Sequence, residues 1–266
     1  MIITPNADPV VHNIDKAKIA TFKVARQSRK LVQVIVRSLY SNPTLATLVE
    51  LGQNAHDEHI RCGKADVPFE VTLPTLFEPT LKVRDFGRGI PHSYMMEGYT
   101  HIFQSTKDDE EDMSGGYGIG RCVVLSLSST YTVTTYINGI ERTYSVFESD
   151  NGIELIHMST KETTESDGTL VIAPVSQNEV QAFPDAAQRA YRYYKTVPII
   201  KGAGSNFVIH TPVYTMQGSG WSIENNNNGS SAICGIYHYP IEAINMGNLT
   251  EAQKTLLDNI GIVLHF

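Results

Sequence analysis

Glu50, Asn54 and Asp57 stand at i, i+4 and i+7 in the run Glu50-Leu-Gly-Gln-Asn54-Ala-His-Asp57-Glu58. On a helix these three share one face. A carboxylate one turn from an amide suits a general base beside a metal-coordinating oxygen. The same stripe also describes a polar helix face that meets solvent. Further on comes Val83-Arg-Asp85-Phe-Gly87-Arg88-Gly89-Ile90-Pro91. Here a strand delivers an aspartate, and two glycines permit close backbone approach or positive φ. A buried carboxylate at a strand end accepts a hydrogen bond from an exocyclic amine such as that of adenine. An ordinary Asp-Gly turn reads the same way. The third segment, Gly115-Gly116-Tyr117-Gly118-Ile119-Gly120, runs into an apolar stretch at 121–128. Glycines ahead of a helix start expose N–H groups to an anion. A glycine run alone is weak, however. No G-K-[ST] follows, so it is not a Walker loop, and the surrounding element order is not that of a Rossmann turn.

The elements that must position these residues follow from pattern. Residues 28–41 read as a largely buried helix. A second helix begins at Asn42-Pro43, with Asn42 as N-cap and proline in the first turn, and stops near Cys62 and Gly63. Residues 68–73 and 79–84 alternate as strands. A long polar loop is expected over 92–120, with one short helix near 94–104 and a lid over 105–114. A short helix covers 121–128, and two strands meet at Asn138-Gly139 within 130–148. Strands at 153–158 and 169–173 follow. This order implies an α/β (α+β) sandwich with helices on one face of a mostly antiparallel sheet. The character shifts near residue 175, dividing the chain into units 1–175 and 176–266. Residues 177–195 read as a helix kinked or split at Pro184. The Asn-rich stretch 224–230 reads as a loop, and 250–258 as a helix with Thr250 as N-cap. The last strand, 261–266, is expected to lie as an exposed apolar edge, which would imply either a truncated chain or a partner segment that covers it.

The 266 residues are 41% hydrophobic and 18% charged, a folded rather than a disordered balance. A net charge of −7 argues against nucleic acid as a direct ligand. Three widely spaced cysteines argue against a disulfide scaffold and for a reducing compartment. No secretory signal or membrane span is expected. The location read from this is cytoplasmic, with membrane contact peripheral at most. His56 and His59 lie three apart, which is not the metalloprotease spacing. Tyr191, Tyr193 and Tyr194 read as packing residues, and the acidic run 108–112 as a solvated part of the lid.

E-x-x-x-N-A-x-D-E, D-x-G-x-G-I-P and G-G-x-G-I-G, in that order, resemble the GHKL ATPases of the gyrase, heat-shock-ninety, histidine-kinase and MutL group, which share the Bergerat fold. The resemblance implies ATP and Mg2+ as ligands. It makes Glu50 the water-activating base, Asn54 the metal ligand and Asp85 the adenine contact. Gly87, Gly89 and Ile90 would line the base pocket. Gly115, Gly116, Tyr117, Gly118, Ile119 and Gly120 would cradle the phosphates, with Lys107 reaching them from the lid. Thr169 would support the adenine-binding aspartate, and Glu58 would pair with Arg88. Lys195 and Lys201 are positional candidates for a catalytic lysine.

Within the superfamily, the start of the chain, Leu39-Tyr40-Ser-Asn-Pro, residues 103–107, Tyr144-Ser145-Val146-Phe147 and the helix from Phe183 to Tyr194 resemble the rIIA lysis-inhibition proteins of tailed phages. That resemblance implies ATP/ADP binding and slow hydrolysis coupled to lid closure, a homodimer on nucleotide binding, a phage or host protein partner, and a transducer-like second unit. A nucleotide sensor with little hydrolysis and a DNA-linked ATPase of topoisomerase or MutL type are the alternatives.

Overall fold

A computed structural model of the chain describes residues 42–99, 122–149, 152–224, 230–234, 237–240, 250–259 and 261–265. The expected helix at 28–41, the lid with Lys107, and the run from Gly115 to Gly120 lie outside these residues, as does 225–229 of the Asn-rich loop.

Helix α1, Pro43–Arg61, starts where the sequence says it must. The Asn42 side chain accepts from the Leu45 N–H at 3.0 Å, and Pro43 occupies the first turn. Strands β1 (Glu70–Thr72) and β2 (Thr80–Arg84) follow, then a short helix α2, His92–Glu97, which begins two residues earlier than expected. Helix α3 is a single turn, Val124–Leu127. Strands β3 (Thr130–Ile137) and β4 (Ile140–Ser149) form the expected hairpin. Asn138 and Gly139 both take positive φ (51° and 74°), the pairing that matches the natural strand twist. Strand β5 spans Gly152–Glu162, well beyond the expected 153–158, because the polar run after residue 158 continues pairing with β4 as an exposed edge. Strand β6 is Gly168–Pro174.

The 177–195 segment is split rather than kinked, the second of the two outcomes expected of Pro184. A 3-10 turn, Gln177–Ala182, hands over to α4, Phe183–Tyr191, with Pro184 in the first turn of α4. Proline lacks the N–H that an interior position would need, so the α-helix starts there instead of bending there. Strand β7, Ile199–Lys201, then returns to the first sheet. The sheet order is β5-β4-β3-β6-β2-β1-β7, antiparallel throughout except for the parallel pair of β1 and β7. The first sheet therefore includes a strand that lies after residue 175.

One face of the sheet carries the core. Leu48, Leu51 and Ala55 of α1 pack with Val71, Leu81, Val83, Tyr131, Val133 and Ala173 from the strands and with Ala186, Ala187 and Tyr191 from α4. Each large apolar side chain buried this way contributes about 1.5–3 kcal/mol. The contact between α1 and α4 is close because Gly52 lacks a side chain. A Cβ there would sit 2.5 Å from Cε1 of Tyr191, whose hydroxyl donates to the Leu48 carbonyl at 3.0 Å. Tyr191 and Tyr194 form an edge-on cluster with Phe69, the packing role expected of them.

A second sheet has five strands: β8 (Tyr214–Gly218), β9 (Trp221–Glu224), β10 (Ser231–Cys234), β11 (Tyr237–Pro240) and β12 (Gly261–His265), ordered β11-β10-β12-β9-β8. Helix α5, Glu251–Asn259, precedes β12. Its start is a capping box: Thr250 Oγ1 accepts from the Gln253 N–H, and the Gln253 side chain accepts from the Thr250 N–H. The expected exposed edge at 261–266 is corrected here. Strand β12 is flanked on both sides, parallel to β10 and antiparallel to β9, so its apolar residues have neighbours. Among the described residues no helix is long and apolar enough to cross a membrane.

Candidate functional site

Asp85 leaves the end of β2 on the core-facing side of the sheet, two residues beyond the buried Val83. Its own N–H donates to the Thr169 carbonyl at 2.9 Å, which joins it to the start of β6. One carboxylate oxygen accepts from the Gly87 N–H at 2.9 Å. The carboxyl is buried. That burial pushes its pKa above the ordinary aspartate range and outweighs the backbone N–H bonds from Gly87 and Thr169 and the nearby Arg84 charge, which act the other way. Thr169 is also buried, so the structure brings these two expected residues together.

The glycines of this loop are needed for shape. Gly89 has φ +72°, and a Cβ there would lie 2.7 Å from the Tyr136 carbonyl oxygen. At Gly87 a Cβ would lie 2.3 Å from Cγ of Glu58. The loop is thus pressed between the strand ends on one side and α1 on the other, and Ile90 packs against the core at its far end.

Helix α1 meets this loop through its last two turns. Glu58 takes the Arg88 guanidinium in a two-pronged pair, at 2.8 and 3.1 Å, and also accepts from the Arg88 N–H at 3.1 Å. Burial alone would raise the Glu58 pKa. The hydrogen bonds and charge of Arg88 more than offset it and hold the carboxyl below its ordinary value. His59 is fully buried and contacts the residue after Asp85. Both of its ring nitrogens are in hydrogen-bond contacts, with the Val67 carbonyl and the Phe86 N–H. No group of three or more His, Cys, Asp or Glu side chains among the described residues is arranged to hold a metal.

Glu50 and Asn54 lie on the same helix, about 12 and 6 Å along the axis from Glu58 at 1.5 Å per residue. Glu50 is half-buried, Asn54 exposed and Asp57 buried. Of the lysines named from position, Lys201 pairs with Glu70 at 2.6 Å. Its register partner Thr72 alternates with the buried Val71, which places Lys201 on the sheet face away from α1. Lys107 and the Gly115–Gly120 run are beyond the described residues.

Sequence reasoning missed two groups here. Lys64 donates to the Phe86 carbonyl at 2.6 Å, and buried Arg84 donates to the Asp85 and Ser166 carbonyls while stacking its charge 4.3 Å from the Tyr136 ring centroid. The one available signal was the cation next to the motif aspartate, and charge before a turn is too common to single out.

No protein-family description matches the chain. No curated protein matches it either. Among solved structures, it is similar to the ATPase region of topoisomerase II from Saccharomyces cerevisiae, solved bound to ICRF-187 (dexrazoxane). The likeness covers 83% of this chain and 72% of that one, with a TM-score of 0.59 and 11% identity. At that identity the likeness establishes the fold alone: a mixed α/β architecture with a large, mostly antiparallel sheet, like that of the topoisomerase II ATPase region.

Proposed function

We propose that the chain binds Mg-ATP between α1 and the strand ends that carry Asp85, and hydrolyses it slowly. The observation that carries this is the Asp85 carboxyl, buried, fixed by backbone N–H groups and bordered by glycines where any side chain would collide. Burying a carboxyl costs stability unless hydrogen bonds satisfy it, and an exocyclic amine is a partner that it suits. The GHKL-type fold supports the same reading. In it, Asp85 accepts from the adenine amine, Gly87, Gly89 and Ile90 border the base, and Thr169 supports Asp85. Asn54 would hold Mg2+, which neutralises phosphate charge when bound, and Glu50 takes a proton from the attacking water.

The finer parts of the reading rest on sequence pattern alone. They are a phage rIIA-like protein acting on lysis timing or host defence in the cytoplasm, a homodimer formed on nucleotide binding, and a transducer-like unit to which the five-stranded sheet belongs.

Calorimetry with ATP tests the core of it. Losing a buried hydrogen bond costs about 1–3 kcal/mol, so Asp85→Asn should weaken ATP binding roughly tenfold or more. Glu50→Ala should bind ATP as the wild type does and lose turnover by about 10²–10⁴. Unchanged affinity in a folded Asp85→Asn protein would remove the adenine assignment.

A further inference from the structure

The peptide group between Asp85 and Phe86 is held at both ends by buried side chains. Its carbonyl, that of Asp85, accepts from the Arg84 guanidinium. Its N–H, that of Phe86, donates to Nε2 of His59 at 2.8 Å. The other ring nitrogen of His59 is 2.8 Å from the Val67 carbonyl. A carbonyl only accepts and an amide N–H only donates. The imidazole therefore carries its hydrogen on Nδ1, donates from there to the Val67 carbonyl, and presents Nε2 as an acceptor to the Phe86 N–H. His59 is 1% exposed, so water cannot replace either bond. Its ring lies edge-on to Phe69 and tilted over Phe86, which fixes its orientation.

Rotation of the peptide at 85–86 would carry the Gly87 N–H, whose 2.9 Å bond holds the Asp85 carboxyl, out of line. We infer that His59 is a positioning residue for base recognition: by fixing the Phe86 N–H it sets the direction of the Asp85 carboxyl, and with it the preference for adenine over guanine. This rests on the adenine reading of Asp85. The chemistry of the preference is local. Adenine presents an amine at the position where guanine presents a carbonyl oxygen, and a carboxylate held in one direction accepts from the first and repels the second. A carboxyl free to turn loses that contrast.

Three variants of the full chain separate the two His59 bonds. The side chain of His59→Gln is long enough to offer an oxygen to Phe86. His59→Asn retains a donor for Val67 and no acceptor in reach of Phe86. His59→Leu has neither. Affinities for ATP and GTP are measured by calorimetry, alongside Asp85→Asn. The inference expects His59→Asn and His59→Leu to lose roughly tenfold in ATP affinity with GTP affinity little changed, and His59→Gln to stay close to wild type. A general loosening of the fold would lower both nucleotides together. If His59→Leu does not fold, the contrast of Gln with Asn decides. Wild-type selectivity in His59→Asn, or equal loss in Gln and Asn, overturns the role of His59. If Asp85→Asn also leaves both affinities unchanged, the adenine reading itself has failed; if Asp85→Asn collapses the preference while His59→Asn keeps it, only His59 is removed.

Discussion

Glu58 shows how much a single side chain contributes to the shape of the loop. It binds the Arg88 side chain and backbone together, and its pKa is held below the ordinary glutamate range by that partner despite the opposing effect of burial. A lowered carboxyl pKa adds stability above the unfolded value, and the gain disappears as pH falls through the folded one. Arg88 is largely exposed, so solvent screening limits the gain to about 1 kcal/mol. Glu58→Gln should therefore melt below wild type near neutral pH, and the gap should close in acid, as pH falls through the lowered folded value. Melting curves across pH check this. The pairing of Glu58 with Arg88, like the placement of Asp85 beside Thr169, was legible only through the resemblance of the motifs to the GHKL ATPases. His59 was not. Its two partners, Val67 and Phe86, are backbone groups 8 and 27 residues away, and sequence carries no mark of which backbone group a buried imidazole will meet.

At the scale of elements, helices and hairpins with strong local signals were legible. Asn42-Pro43 started α1, and Asn138-Gly139 closed the β3–β4 turn, because caps and primed turns are decided by a few adjacent residues. The extent of β5 was not legible, since an edge strand carries polar residues on both faces and loses its alternation. Three-residue β7 was invisible for a similar reason: its pairing with β1 is a tertiary choice. Gly52 is the element-scale feature most open to test. Alanine favours a helix interior by about 1 kcal/mol over glycine. Here the added methyl meets a buried ring that cannot move without losing its bond to the Leu48 carbonyl, and overpacking of this kind costs about 1–3 kcal/mol. Gly52→Ala should consequently lower stability in a denaturant titration, against its helix propensity. A rise in stability would mean that α4 yields at Tyr191.

Across the whole molecule, the region after α4 is tied to the second sheet by the ion pair of Arg192 with Glu224, both poorly exposed. Tyr193 lies beside it, its hydroxyl 3.5 Å from the same carboxylate, and burial first of all pushes the phenol up to about 12. Removing one partner of a buried pair leaves the other charge uncompensated, at a cost of about 3–5 kcal/mol, whereas removing both costs less. Arg192→Met should thus destabilise more than the double variant Arg192→Met/Glu224→Leu, as measured by chemical denaturation. Additive losses would show that the pair does not join the two parts. The parallel pairing of β1 with β7 has a different consequence, one in time. Glu70 finds its partner Ile199 only after 129 further residues have been made. At synthesis rates of about 5–20 residues per second, β1 waits on the order of 10 s beside β2 alone. During that interval its open edge, Glu70–Thr72, and the apolar Val71 beside it are available to other nascent chains. Slow decoding between α4 and β7 would lengthen the wait, so the messenger RNA through this stretch bears on the yield of folded protein as much as the amino acids it encodes.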